Sequence, residues 1–166
     1  MNAPFTTIIS HSEEETLELG RRLAATLPPG SVLALHGDLG AGKTALSRGI
    51  AAGLGITEPV TSPTFTVVQE YPCQAGAVHW LFHLDMYRID DERAAAAFGI
   101  DEFLWVADAI ALIEWPERIA GLLDDPGRIH HLYLEHGPHG ERRIILPAEL
   151  PVPERESNPE SLVPYA

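Results

Sequence analysis

The chain has 166 residues, 45% of them hydrophobic, and its 24 acidic and 11 basic residues give a formal net charge of −13. This length suits one domain with a sizeable core, because a chain of about 150 residues buries roughly two-thirds of its unfolded surface. The negative charge opposes sequence-independent binding to nucleic acid, and a single cysteine, Cys73, excludes an internal disulfide framework. Since there is no secretory leader pattern and no run of 18 apolar residues, we expect a cytoplasmic protein that makes no membrane contact.

The first part of the chain predicts a helix, a strand and a second helix. Ser12 can cap a helix and Glu15 stands three residues later, as in a capping box. Leucines at every fourth position from Leu19 to Leu27 give this helix one buried face. Residues 31–36 predict a strand whose apolar run from Val32 to Leu35 is typical of a parallel strand covered on both faces, and residues 44–54 predict the next helix.

The second part predicts further strands and short helices. Residues 66–71 and 78–85 predict two strands joined across a turn at 72–76, and this hairpin introduces antiparallel pairing. The remaining predicted elements are short helices at 90–98 and 101–105, a buried strand at 109–113, a helix beginning at Pro116, and a terminal hairpin of strands 129–135 and 142–146.

A glycine-rich turn follows the strand at 31–36. Gly37, Gly42, Lys43 and Thr44 fill the pattern G-x-x-x-x-G-K-[ST]. In this pattern backbone N–H groups curl around phosphate oxygens, the lysine meets the β- and γ-phosphates, and the hydroxyl ligates Mg²⁺. The following helix adds its positive N-terminal end. Lys43 is also the only lysine among the 11 basic residues, so the sequence predicts a phosphate-binding loop rather than a glycine turn with a solvated lysine.

The loop and the order of elements together predict the fold. We expect an α/β fold of the P-loop NTPase type: a three-layer sandwich in which a central mixed sheet, mainly parallel but with an antiparallel hairpin, carries helices on both faces. Residues 1–147 are assigned to a single domain of the P-loop NTPase type. Residues 148–166 are rich in proline and acidic residues and predict a poorly ordered tail.

A phosphate loop alone does not distinguish an ATPase, a GTPase, a kinase or a passive binder, so the other groups of the site must be found. Asp85 and Glu114 each end an apolar strand, where an acid can steady a metal or orient the attacking water. Both acids are plausible for the second role. Ser62 and Thr64 place hydroxyls between helix and strand, where a GTPase has its mobile switch.

Four motifs occur in the order and spacing of the TsaE (YjeE) family: residues 37–44, Ser62-Pro63-Thr64-Phe65, His83-Leu84-Asp85-Met86-Tyr87-Arg88 and Glu114-Trp115-Pro116-Glu117-Arg118. The sequence thus resembles the bacterial ATPase of the machinery that makes threonylcarbamoyladenosine on tRNA. The resemblance runs from the first helix to the final hairpin. It implies hydrolysis of ATP to ADP with Mg²⁺ and a switch that resets partner subunits of the TsaB and TsaD type. The net charge of −13 predicts that any contact with tRNA is indirect, through a partner that holds it.

The resemblance also implies roles for individual residues. Lys43, Asp85 and Glu114 would be catalytic, and Thr44, Asp85 and Glu114 would hold Mg²⁺. Trp115 would pack beside the site and respond to nucleotide. The residues expected to bind the nucleotide are Glu13, Gly37, Asp38, Leu39, Gly40, Ala41, Gly42, Lys43, Thr44, Ala45, Ser62, Thr64, Trp115 and Gly140.

Two other functions stay open. A small-molecule kinase can be this short and share the loop, but it needs an acceptor site and usually an arginine-rich lid, whereas Arg88, Arg93 and Arg118 are scattered along the chain. A binding module would hold nucleotide only to assemble a complex. A GTPase is disfavoured because the chain has no Asn-Lys-x-Asp motif to read guanine.

Overall fold

A computed structural model describes residues 5–63, 66–125 and 127–153. Its strands are β1 (Phe5–Ser10), β2 (Val32–His36), β3 (Val68–Ala75), β4 (Val78–Asp85), β5 (Ala109–Glu114), β6 (Ile129–His136) and β7 (Arg142–Pro147). Its helices are α1 (Glu13–Ala24), α2 (Lys43–Gly53), α3 (Glu92–Ala97) and α4 (Asp101–Leu104), with 3₁₀ segments at Pro116–Leu122 and Pro138–Gly140.

The strands form one mixed sheet in the order β1-β7-β6-β2-β5-β4-β3. The centre is parallel, because β2 pairs in parallel with both β5 and β6, and β4 pairs in parallel with β5. The margins are antiparallel, where β3 joins β4 and where β7 joins β6 and β1. This arrangement places the carboxyl ends of β2, β4 and β5 at one edge.

The two faces of the sheet bury separate apolar clusters. Along β2, Leu33 and Leu35 belong to the cluster under α1 and α2, whereas Val32 and Ala34 belong to the cluster under α3, α4 and the 3₁₀ segment Pro116–Leu122. A strand covered on both sides has no solvated face, which explains its continuous apolar run. The predicted three-layer α/β sandwich is confirmed.

Glycines bring α1 and α2 into backbone contact. A Cβ added at Gly49 would lie 2.0 Å from the carbonyl oxygen of Leu17, and one added at Gly20 would lie 2.4 Å from that of Leu46. No side chain of any other residue type fits at either position. Helix α2, which follows the phosphate loop, therefore packs directly against the backbone of α1.

The structure corrects two predicted elements. The predicted turn at 72–76 is wrong, because β3 continues to Ala75 with an irregular register after Pro72. Proline is tolerated there because β3 is an edge strand. The helix predicted from Pro116 is a 3₁₀ segment interrupted at Ile119, whose backbone is not helical. One strand, β1, was not predicted at all.

The chain still packs on the domain after β7. Leu150 is buried in the cluster under α1 and α2, Val152 packs against that cluster, and the carbonyl of Pro153 accepts a hydrogen bond of 3.0 Å from Arg22. Residues 154–166 of the predicted tail lie outside the described residues, so the tail and the boundary at 147 stay predictions. Within the described ranges, every helix is too short or too polar to span a bilayer.

Candidate nucleotide-binding site

The loop between β2 and α2 places the N-terminus of α2 at the sheet edge where β2, β4 and β5 end. Gly42 is the N-cap of α2 and has a φ of 106°, a left-handed conformation that glycine adopts readily. Glycine has no side chain with which to cap the helix. The first backbone N–H groups of α2 are therefore available to an anion.

Lys43 begins α2, and its ammonium group is held inside the site. Its Nζ donates a hydrogen bond to the carbonyl of Gly37 and lies 3.9 Å from the centroid of the Trp115 ring, which is a cation–π distance. Burial lowers the pKa of Lys43, although nearby carboxylates, Glu114 foremost, offset part of that effect. The site thus presents one desolvated cation next to the phosphate loop.

The two strand-end acids are neighbours across the parallel pair β4 and β5, where Asp85 is the register partner of Glu114. Both are buried, at 7% and 3% exposure. The Oγ of Ser62 lies 2.9 Å from Oδ2 of Asp85 and 3.0 Å from Oε2 of Glu114. The other oxygen of Asp85, Oδ1, accepts the backbone N–H of Tyr87 at 2.9 Å.

The hydroxyl of Ser62 cannot satisfy both acids at once, because it carries one proton. With both carboxylates ionised, one of its two short oxygen–oxygen contacts lacks a proton. A set of hard oxygen atoms with excess negative charge suits a divalent cation such as Mg²⁺. Thr44, which lines the same cleft, would add a hydroxyl oxygen to this set.

His83 lies beside this pair of acids. It stands two residues before Asp85 on β4, hence on the same face of the sheet, and it is 0% exposed. Its Nε2 is 3.3 Å from Oε2 of Glu114. Burial acts to raise the pKa of Glu114, but contact with His83, the hydroxyl of Ser62 and the charge of Lys43 together hold that pKa below its ordinary value.

One cleft of about 590 Å³ collects most of the predicted residues. Asp85 and Glu114 line it together with Glu13, Leu39, Gly40, Gly42, Lys43, Thr44, Ala45, Ser62, Trp115 and Gly140. Gly37 and Asp38 instead line a neighbouring cleft of about 530 Å³ that shares Trp115. Ala41 is buried in the core, and Thr64 lies outside the described residues.

Four residues of the cleft were not predicted: Ser12, Thr16, Tyr87 and Arg142. The ring of Tyr87 lies 5.1 Å from that of Trp115. Arg142 passes close to Gly42 and donates a 3.1 Å hydrogen bond to the carbonyl of Gly140. The available signals were the position of Tyr87 in the Asp85 motif and the closeness in sequence of Arg142 to Gly140, and of Ser12 and Thr16 to Glu13.

Comparison with known proteins agrees with this geometry. A sequence profile of the family described as "Threonylcarbamoyl adenosine biosynthesis protein TsaE" matches residues 10–144. The chain belongs to the TsaE family. Its TsaE relative from Nostoc sp. is 40% identical over 142 residues, which is 83% of each chain. The relative from Bacillus subtilis is 40% identical over 135 residues, 81% of this chain and 80% of that one.

A solved structure supports the same assignment. The crystal structure of YdiB from Bacillus subtilis matches with a TM-score of 0.68 and 33% identity, covering 86% of this chain and 84% of that one. The resemblance to the TsaE family drawn from four short motifs is thus confirmed by matches that extend over most of the chain.

Two residues next to the acids of the TsaE cleft adopt left-handed backbone conformations without being glycine. Trp115 has a φ of 56° directly after Glu114, and Val67 has a φ of 66°. The carbonyl of Val67 accepts the N–H of Asp85 at 2.9 Å. Such conformations cost about 1–3 kcal/mol each and persist where the surroundings enforce them. Backbone strain is therefore located next to both acids.

Proposed function

We propose that this TsaE-family chain is a Mg²⁺-dependent ATPase in the threonylcarbamoyladenosine modification of tRNA, and that hydrolysis switches or resets a partner protein complex. One observation carries the proposal. The N-terminus of α2 and Lys43 line the same cleft as the carboxylates of Asp85 and Glu114, which end adjacent strands. That combination would bring an anion-binding group and a cation-binding group into one site.

The cleft fits a nucleotide in size and in charge. Its volume of about 590 Å³ is within the usual range of about 300–1,000 Å³ for small-molecule sites. The free N–H groups of α2 suit phosphate oxygens. The two carboxylates that share the single hydroxyl proton of Ser62 suit a divalent cation in the same cleft.

Different residues would bind the phosphates, hold the metal and orient the attacking water. Lys43 would contact the β- and γ-phosphates, while Thr44, Asp85 and Glu114 would hold the metal. Mg²⁺, when bound, neutralises charge that develops on the phosphates. One of the two acids would orient the attacking water. Catalysis would then consist of positioning and charge stabilisation, with little covalent chemistry by the protein.

The output of the reaction would be a change in association with partner proteins. We propose subunits of the TsaB and TsaD type as those partners, since the chain belongs to the TsaE family. Contact with tRNA would be indirect, because a net charge of −13 opposes binding to a polyanion. The partner complex would hold the tRNA.

The proposal is tested by measuring ATP turnover with and without the partner complex and tRNA. We expect the partners to stimulate the wild type, and we expect Asp85→Ala and Glu114→Ala each to abolish that stimulation. Asp108→Ala is the matched control, because Asp108 is an acid of 47% side-chain exposure that directly precedes β5, at the end of the strand opposite Glu114. It should keep wild-type turnover.

Two results would point elsewhere. Recovery of the γ-phosphate on a metabolite would indicate a small-molecule kinase. Equal partner binding by wild type and Glu114→Ala, with no turnover in either, would indicate an assembly module.

A further inference from the structure

His83 is a buried polar group to which the proposed mechanism gives no role. Its side chain is 0% exposed, and neither ring nitrogen forms a hydrogen bond of good geometry with any described residue. Burying an imidazole without a partner is costly. A packing residue at this place would be apolar, as its neighbours Phe82 and Leu84 are.

The polar neighbour of His83 is Glu114, and the contact is specific to one oxygen. Nε2 of His83 lies 3.3 Å from Oε2 of Glu114, and Oγ of Ser62 lies 3.0 Å from the same atom. Both contacts are to Oε2, and neither is to the other oxygen, Oε1. His83 and Ser62 therefore approach one side of the carboxylate and leave the other side for a ligand in the cleft.

We propose that His83 is a positioning residue that, together with Ser62, fixes Oε2 of Glu114 so that Oε1 is presented to the metal ion. The inference rests on the proposed function, because it concerns how the chain holds Mg²⁺. A neutral ring protonated on Nε2 and a charged ring both carry a proton on the nitrogen that lies 3.3 Å from Oε2, so the role does not depend on the charge of His83.

The strand register explains why a histidine at this position can act on Glu114. Residues 83 and 85 of β4 point to the same face, and so do their partners 112 and 114 on β5. His83 thus lies one step deeper along the pair than the two acids. Hydrogen-bonding groups behind a metal ligand orient it, and losing one typically weakens metal binding by about 10- to 100-fold.

The chain contains a matched histidine for comparison. His130 on β6 is also buried, at 8% exposure, and its Nδ1 likewise lacks a hydrogen bond among the described residues. That nitrogen lies 3.7 Å from Oε1 of Glu149. Neither histidine lines the cleft, but Glu114 lines it and Glu149 does not. A buried histidine near a glutamate is therefore present both next to the cleft and away from it.

The test uses the full chain and measures ATP binding by calorimetry over a range of Mg²⁺ concentrations. We expect His83→Leu to raise the half-saturating Mg²⁺ concentration about 10-fold or more, while ATP affinity without Mg²⁺ stays within about twofold. His83→Gln, whose amide can donate near the position of Nε2, should restore most of the Mg²⁺ affinity. His130→Leu should behave like the wild type.

His83→Asn keeps the test informative if the leucine variant does not fold. The shorter asparagine amide does not reach the position of Nε2. The Mg²⁺ affinity of His83→Asn should therefore be as weak as that of a variant without the donor, although asparagine is as polar as glutamine. Equal Mg²⁺ dependence of wild type, His83→Leu and His83→Asn would overturn the inference, and so would a glutamine variant as weak as the asparagine variant. If the ATP affinity of the wild type did not change with Mg²⁺ concentration, the proposed function would be overturned, and this inference with it.

Discussion

The candidate nucleotide site has two halves that are built in different ways. The phosphate half, residues 37–45, consists of consecutive residues and offers backbone N–H groups and one ammonium. The acid half, Ser62, His83, Asp85 and Glu114, comes from three separate segments and offers buried side chains. Local sequence and helix geometry define the first half, whereas strand pairing defines the second. Substitutions in the two halves should therefore affect function and stability differently.

The largest effect is expected from Lys43→Ala in the phosphate half. Removing the cation should lower ATP turnover by about 100- to 1,000-fold, the usual loss when one preorganised charge-stabilising group is removed. The free energy of unfolding should change little. The substitution removes the contacts of Lys43 with Gly37 and Trp115, but it also removes the cost of burying its charge, which lowers the pKa of Lys43. Phosphate release and urea unfolding measure the two quantities.

Arg143→Ala is the control for Lys43→Ala, since Arg143 is an exposed cation on β7 that pairs only with the exposed Glu135 among the described residues. It should leave both quantities at the wild-type level. A Lys43→Ala variant whose turnover stays within tenfold of wild type would contradict the assigned role.

In the acid half, Asp85→Asn should separate turnover from stability. The amide oxygen can still accept from the N–H of Tyr87, and the amide nitrogen can donate to Ser62, which frees the hydroxyl proton for Glu114. We expect turnover to fall by at least about 100-fold, while the free energy of unfolding without nucleotide stays equal or rises.

Asp108→Asn, a change to an exposed acid, should alter neither quantity. A loss above about 2 kcal/mol in the free energy of unfolding of Asp85→Asn is the size expected when a buried polar group is left unpaired. It would contradict the claim that the two carboxylates share too few hydrogen-bond donors.

The difference between the halves also explains what the sequence could predict of the site. The loop was predictable residue by residue, because its glycines, lysine and threonine are consecutive and their geometry is local. Asp85 and Glu114 were predictable as strand ends. Their direct pairing, the position of Ser62 between them and the burial of His83 depend on register between distant segments, which one sequence does not contain.

The fold shows the same limit. Strands with a continuous apolar run, such as β2 and β5, were found within one residue of their predicted bounds. The edge strands were not. β1 is mostly exposed and is held by its pairing with β7. β3 continues past Pro72, a residue type that locally favours a turn. At an edge, tertiary pairing overrides the local pattern.

The support beneath the phosphate half can be tested by Gly49→Ala. The added methyl group would meet the backbone of Leu17 at 2.0 Å, so α2 must shift away from α1. We expect a loss of about 1–3 kcal/mol in the free energy of unfolding and weaker ATP binding, measured by urea unfolding and calorimetry.

Gly121→Ala is the matched control, since its methyl group would meet only the flexible carboxylate of Glu92, at 3.2 Å. It should be close to neutral. If Gly49→Ala were equally neutral, the phosphate half would not depend on the contact between α1 and α2.

The smallest expected effect is a difference in pH dependence between the halves. His36 directly precedes the phosphate half and lies 2.9 Å from His131. Burial lowers the pKa of both from 6.5, so the unfolded state binds more protons and the free energy of unfolding falls as pH decreases through that value. The pKa of Glu114 is held below its ordinary value by His83, Ser62 and Lys43, so its contribution to stability is lost only at lower pH.

Urea unfolding between about pH 2 and 8 resolves the two ranges. His131→Gln should flatten the profile near pH 6 and Glu114→Gln should flatten it only at the acid end, whereas His139→Gln, in the exposed turn after β6, should change neither. Identical slopes near pH 6 in wild type and His131→Gln would contradict the assignment.

The central claim is that the two halves together transfer a phosphoryl group from ATP to water. The most direct measurement is ATP turnover by the wild type with Mg²⁺ and its partner proteins in ¹⁸O-labelled water. We predict that the released phosphate carries one oxygen atom from the solvent. Recovery of the γ-phosphate on any other acceptor, or no release with the partners present, would contradict the account.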